Sequence, residues 1–207
     1  GSARDVFVIP GNHDALVPGG WQERLTRWAD YVAADEPDLS GQRAVPVLRV
    51  RGPVALIGLS SAHPTRPFSA AGSLGADQLA RCAALLAEAS QRSLYRVLLI
   101  HHPPAPVSVS AHKRLLDADD LGRMLERCGA ELILHGHVHR RSRTELPGNG
   151  APIPVLGAPS ASAAGADPAH RAGFGVVRIR RTPDGWSATF QDHWYVRDRR
   201  RFNAGEP

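Results

Sequence analysis

Hydrophobic residues fall along this chain in short runs of two different periods, broken by Gly, Pro, Asn and His. The run Val6-Phe7-Val8-Ile9 halts at Pro10-Gly11, which reads as a strand meeting a loop. Residues 20–34 carry Trp21, Leu25, Trp28 and Ala29 at helical spacing and read as an amphipathic helix. Residues 45–50 and 54–59 read as two strands joined in a hairpin through Arg51-Gly52-Pro53. Residues 76–90 put Leu79, Cys82, Ala83 and Leu86 on one helical face. Residues 95–100 form a buried strand that runs straight into His101-His102-Pro103-Pro104. Residues 118–127 read as a helix capped by Asp117 and stopped at Gly129. Residues 131–134 form another strand, ending in His135-Gly136-His137-Val138-His139.

From Arg140 onward strand follows strand. Gly148-Asn149-Gly150 turns the chain into residues 153–156, residues 174–180 form a further strand, and Pro183-Asp184-Gly185 leads into residues 186–196. The run Arg197-Asp198-Arg199-Arg200-Arg201 reads as a solvated tail. Residues 158–169 are the most loop-like stretch, too short for a domain linker. Strands alternating with helices, then strands alone, predict a single α/β domain over residues 1–207, with two packed sheets flanked by helices.

Composition changes this picture little. A hydrophobic content of 43% is enough to bury a core and excludes a disordered chain. Cys82 and Cys128 lie in helical stretches, without a partner at metal-site spacing, so a reduced, cytoplasmic setting is the expectation. No apolar run is long enough to span a bilayer. The net charge of +5 comes almost wholly from arginine, Lys113 being the only lysine. It could serve an anionic substrate or nucleic acid, but a chain rich in arginine, alanine and glycine reaches such a charge by composition alone, and that is the favoured reading. Nucleic acid is not favoured, because no basic stripe with interleaved aromatics accompanies the charge.

The chemistry lies at strand ends. Gly11-Asn12-His13-Asp14, His101-His102-Pro103 and Gly136-His137-Val138-His139 each follow an apolar run. Sites in α/β sheets gather at the carboxyl ends of strands, so the three segments can converge. Neutral imidazole suits Zn, Fe, Mn or Co, and an Asn carbonyl is a hard oxygen ligand. In a loop, His137 and His139 could reach two adjacent ions; on a continuing strand they would share one face and one ion. The three segments together predict a shared metal site.

In these motifs the chain resembles the calcineurin-like metallophosphoesterase superfamily. The signature of that family runs Asp-x-His, Gly-Asp, Gly-Asn-His-Asp/Glu, a single His, and Gly-His-x-His. The last three are present as Gly11-Asn12-His13-Asp14, His101 and Gly136-His137-Val138-His139. The resemblance implies a four-layer αββα sandwich of two mixed sheets flanked by helices, and two divalent or trivalent ions of Mn, Fe, Zn or Co. It implies that Asn12, His101 and His137 ligate the second ion, that His139 ligates the first, and that His13 is the catalytic histidine. Asp14 either orients a histidine or caps its own turn. His102 either faces the substrate phosphate or is structural beside Pro103. His135 either supports a ligand or simply packs. His63, His112, His170 and His193 lie outside the motifs; surface or packing roles are expected, with His63 the nearest to the site margin.

Two family motifs are absent: no Asp-x-His and no Gly-Asp occurs in the sequence. In the family these supply the carboxylate that bridges the ions and most of the first-ion site. The expectation is therefore a chain without its N-terminal segment and first strands, inactive or nearly so by itself. The expected function is metal-dependent hydrolysis of a small phosphoester. Within the family, Pro10 to Asp14 and His101 to Pro104 most resemble bacterial cyclic-nucleotide and glycerophosphodiester phosphodiesterases. The alternatives are a non-catalytic binding or scaffold member of the same fold, and a nuclease of the superfamily.

Overall fold

A computed structural model of the chain describes residues 5–15, 27–35, 45–66, 68–105, 110–163 and 170–205. Strands β1 (Val47–Arg51) and β2 (Val54–Gly58) pair antiparallel, as the Gly52-Pro53 turn predicts. Helix α1 (Ala29–Val32) precedes them; the rest of the expected helix over 20–34 lies mostly outside the described residues. Helix α2 (Ala76–Gln91) returns the chain to β3 (Tyr95–Ile100), parallel to β2. Helix α3 (Ala118–Cys128) returns it again to β4 (Leu132–His135), parallel to β3. Strands β5 (Ser142–Leu146) and β6 (Ile153–Gly157) complete a six-stranded mixed sheet of order β1-β2-β3-β4-β6-β5. Strands β7 (Gly173–Thr182), β8 (Gly185–Val196) and β9 (Arg201–Ala204) form a second sheet, antiparallel throughout.

Each face of the mixed sheet buries a different layer. Leu79, Cys82 and Leu86 of α2 and Leu121, Met124 and Leu125 of α3 pack with Ile57, Leu98, Ile100 and Ile133. On the other face Tyr95, Val97 and Leu132 meet Val177, Ile179, Trp186, Ala188 and Phe190 of the second sheet. The Tyr95 and Trp186 rings touch edge to face at 5.6 Å between centroids. This is the α/β arrangement of two packed sheets and helices that the sequence predicts, except that the second sheet is antiparallel rather than mixed among the described residues. Among the described residues, no helix is long and apolar enough to cross a membrane.

Three local expectations are corrected. Residues 6–9 are extended but join no ladder among the described residues; Val8 N–H donates instead to the Tyr31 carbonyl at 3.0 Å. Asp117 makes no side-chain cap for α3. Its Oδ2 instead accepts from Ser73 Oγ, Leu74 N–H and Gly75 N–H at 2.8–2.9 Å, tying down the entry to α2. The arginine run after β8 is not a tail: Arg197–Arg199 is a single 3-10 turn, and β9 starts at Arg201 and pairs back onto β8.

Candidate metal centre

Parallel pairing of β3 and β4 sets Ile100 opposite His135, so both strands run out at the same level. His101 is the first residue past β3, and Gly136 and His137 follow β4. Gly136 N–H donates to the His101 carbonyl at 3.1 Å, which carries the pairing one step beyond the strands. A 3-10 turn, Asn12–Ala15, brings buried Asn12 to the same place. Gly11 N–H donates to Asp14 Oδ2 at 2.8 Å, and Asp14 N–H donates to the Gly11 carbonyl. Of the two roles open to Asp14, this is the turn cap.

Three side-chain atoms converge. Asn12 Oδ1 lies 2.9 Å from His101 Nε2 and 3.2 Å from His137 Nδ1, and the two ring nitrogens are 3.2 Å apart. Ligand atoms at metal bonds of about 2.1 Å and angles of 90–110° lie about 3.0–3.4 Å from one another. The triangle therefore has the dimensions of one face of a coordination shell. Both nitrogens must be bare to act as ligands, and the surroundings keep them neutral. Burial pushes the His101 imidazole down to about 3, helped by the charges of His102, His137, His139 and His13. Burial likewise pushes His137 down to about 4, with His102, Lys113 and His139 adding to the effect and the Lys113 backbone opposing it.

The loop after β4 aims His137. Val138 N–H donates to the Gly136 carbonyl at 2.8 Å, closing a three-residue turn centred on His137. His137 and His139 take φ of 68° and 53°, the left-handed region that side chains other than glycine rarely occupy. Such strain collects at functional sites. Because β4 stops at His135, His137 and His139 do not share a strand face; the loop alternative is the one observed. His139 is exposed, outside the triangle, yet close enough for its charge to act on both His101 and His137. His13 is exposed beside Asn12, and its charge also reaches His101.

The remaining histidines separate by surroundings. His102 is fully buried: its Nδ1 meets Ser61 Oγ at 2.7 Å and its Nε2 meets the Ala70 carbonyl at 2.9 Å. Both ring nitrogens are engaged, so His102 does not face a substrate. His135 is buried under β5, with Nε2 3.3 Å from Ser142 Oγ and Nδ1 3.1 Å from the Gly136 carbonyl, a packed residue. His63 is half-buried, and its charge reaches His102. His112 is exposed and its Nε2 lies 3.2 Å from Ser110 Oγ; His193 stacks on Phe174 at 4.8 Å.

Two residues important to the site escape the sequence reading. Arg49 is 4% exposed and donates to the carbonyls of Val6, Asp30 and Ala33 at 2.6–2.8 Å, strapping the segment before Asn12 to β1. Its signal was an arginine at an inward position of an alternating strand. Ser61 gave no signal, because its partner His102 is 41 residues away.

The triangle suits a divalent transition ion: two half-buried imidazoles and one buried amide oxygen, already brought together. Among the described residues, no group of three or more His, Cys, Asp and Glu side chains could hold a metal. The triangle closes only through the Asn12 carbonyl, and no described carboxylate joins it. A profile of the calcineurin-like phosphoesterase family matches residues 2–141, about two-thirds of the chain. A search of curated proteins finds no match.

Proposed function

The chain belongs to the calcineurin-like phosphoesterase family, whose members are generally metal-dependent phosphoester hydrolases, and on that footing we propose that it serves as a phosphodiesterase with a two-ion centre. The observation that carries this reading is the triangle of Asn12 Oδ1, His101 Nε2 and His137 Nδ1. These three atoms would hold one ion, of Mn, Fe, Zn or Co, and His139 would serve the other. Bound ions of this kind polarise the phosphoryl oxygens and supply hydroxide at neutral pH.

Several groups of this chain would contribute to that chemistry. Burial keeps His101 and His137 unprotonated, so their lone pairs are available without a pH change. The Asp14 cap holds the turn that presents Asn12 on one side and His13 on the other. His13, being exposed, can meet a substrate arriving from solvent and give a proton to the departing alkoxide oxygen. The arginine-rich net charge of +5 favours the approach of a small anionic phosphodiester.

The test is turnover of bis-p-nitrophenyl phosphate against p-nitrophenyl phosphate by the full-length protein with added Mn²⁺. The proposal expects the diester to be hydrolysed faster, and His13→Ala to reduce turnover while metal content holds. Bound metal without turnover of either compound would leave a binding member of the fold and sink the hydrolase reading.

A further inference from the structure

We propose that His102 is a positioning residue: a buried imidazole, held at both ring nitrogens, that orients the His137 ring and thereby the direction in which His137 Nδ1 points. This rests on the reading of the triangle as a metal centre.

The tautomer follows from the partners. A carbonyl only accepts, so the ring nitrogen 2.9 Å from the Ala70 oxygen, Nε2, carries the hydrogen. Nδ1 is hydrogen-bonded to Ser61 Oγ at 2.7 Å. The same Ser61 oxygen takes the His102 backbone N–H at 3.3 Å. Neither ring nitrogen is left for a ligand, and the ring cannot rotate without breaking both bonds.

This fixed ring is the surface on which the ligands rest. Its centroid is 4.3 Å from that of His137, tilted by 43°, and 5.2 Å from that of His101, edge-on at 87°. This tilted ring contact and the short triangle together restrain the His137 ring. Behind His102 the chain presses as close as a backbone can: a Cβ on Gly72 would lie 2.2 Å from His102 Nδ1. Gly72 is itself pinned, its N–H to the Arg114 carbonyl at 3.0 Å and its carbonyl to Leu116 N–H at 2.8 Å. Ser73 N–H closes the loop onto the Ser61 carbonyl at 3.2 Å. Support for a metal ligand thus passes from the 61–73 loop through His102 to His137, the arrangement by which outer groups tune metal affinity.

The experiment is a titration with Co²⁺, followed by its visible absorption bands, on the full-length protein and its His102→Ala and Ser61→Ala variants. Thermal midpoints are measured on the metal-free forms. His102→Ala should weaken Co²⁺ binding about 10–100-fold and change the band pattern, although Asn12, His101 and His137 are intact. Ser61→Ala keeps the ring and should shift binding and bands in the same direction by less. Should His102→Ala fail to fold, Ser61→Ala decides alone. Both variants binding Co²⁺ with wild-type affinity and wild-type bands would overturn the proposal. Wild-type protein that takes up no Co²⁺ would instead overturn the metal reading itself, and this proposal with it.

Discussion

Gly11 backs directly onto the His101 imidazole: a Cβ at position 11 would stand 2.8 Å from His101 Cε1 and 2.9 Å from Nδ1. The turn that presents Asn12 and the strand end that presents His101 can meet only because residue 11 has no side chain. Gly11→Ala should therefore displace His101 rather than unfold the chain, at a cost of about 1–3 kcal/mol for overpacking. Metal affinity, read by titration, should fall at least tenfold, on the order of one broken ligand geometry. Unchanged affinity would show that the close approach does not matter.

Arg49 holds the segment before Asn12 through three carbonyls and lies over the Phe7 ring at 5.0 Å. Arg49→Met keeps the volume and leaves the carbonyls of Val6, Asp30 and Ala33 without these donors. Three part-buried hydrogen bonds are lost at about 1 kcal/mol each, so a loss of roughly 2–4 kcal/mol in urea unfolding is expected. Metal affinity should fall as well, because the strap positions Asn12. A loss of stability with no change in affinity would separate the strap from the site.

Acid should destabilise the metal-free protein. In the unfolded chain the two ring nitrogens of the triangle titrate near 6.5, but folding pushes His101 to about 3 and His137 to about 4. Below pH 6.5 the unfolded state binds more protons than the folded one, so stability falls as pH falls. The loss through His137 runs down to about pH 4, and that through His101 to about pH 3. His102 and His135 shift in the same direction, both chiefly through burial. Thermal midpoints measured from pH 7 to pH 4 should drop, and less steeply in His137→Asn. A flat profile would contradict the burial of these rings.

Cys82 is completely buried against the mixed sheet, and its thiol is pushed up to about 12, mainly by burial. Cys128 is half-buried. At pH 8, Ellman's reagent should leave Cys82 unmodified in the native protein and modify it only upon unfolding. Rapid native labelling of Cys82 would mean that α2 does not pack as described.

What was legible in the sequence had a local cause. The strands β3 and β4 and helices α2 and α3 show through their period and their stops, and the strand-end histidines follow from them. What was not legible depended on partners distant in sequence. Val6 to Ile9 has the composition of a strand, but Val8 donates to Tyr31 and the segment is held by Arg49. The strand β9 is a short, mostly exposed edge strand, and its first residue, Arg201, ends the charged run that reads as a tail. Asp117 sits where a helix cap belongs, yet its carboxylate serves a loop more than 40 residues earlier. His102 carries the chemistry of a ligand; only Ser61 and Ala70 reveal it to be fully engaged.

The central claim is that Asn12, His101 and His137 form one face of a metal site. It is tested most directly by isothermal titration of the full-length protein with Mn²⁺ or Co²⁺, alongside Asn12→Ala, His101→Ala and His137→Ala. The account predicts wild-type binding and, in each variant, loss of the ion that the triangle holds, with the fold retained by circular dichroism. Wild-type stoichiometry and affinity in all three folded variants would contradict it.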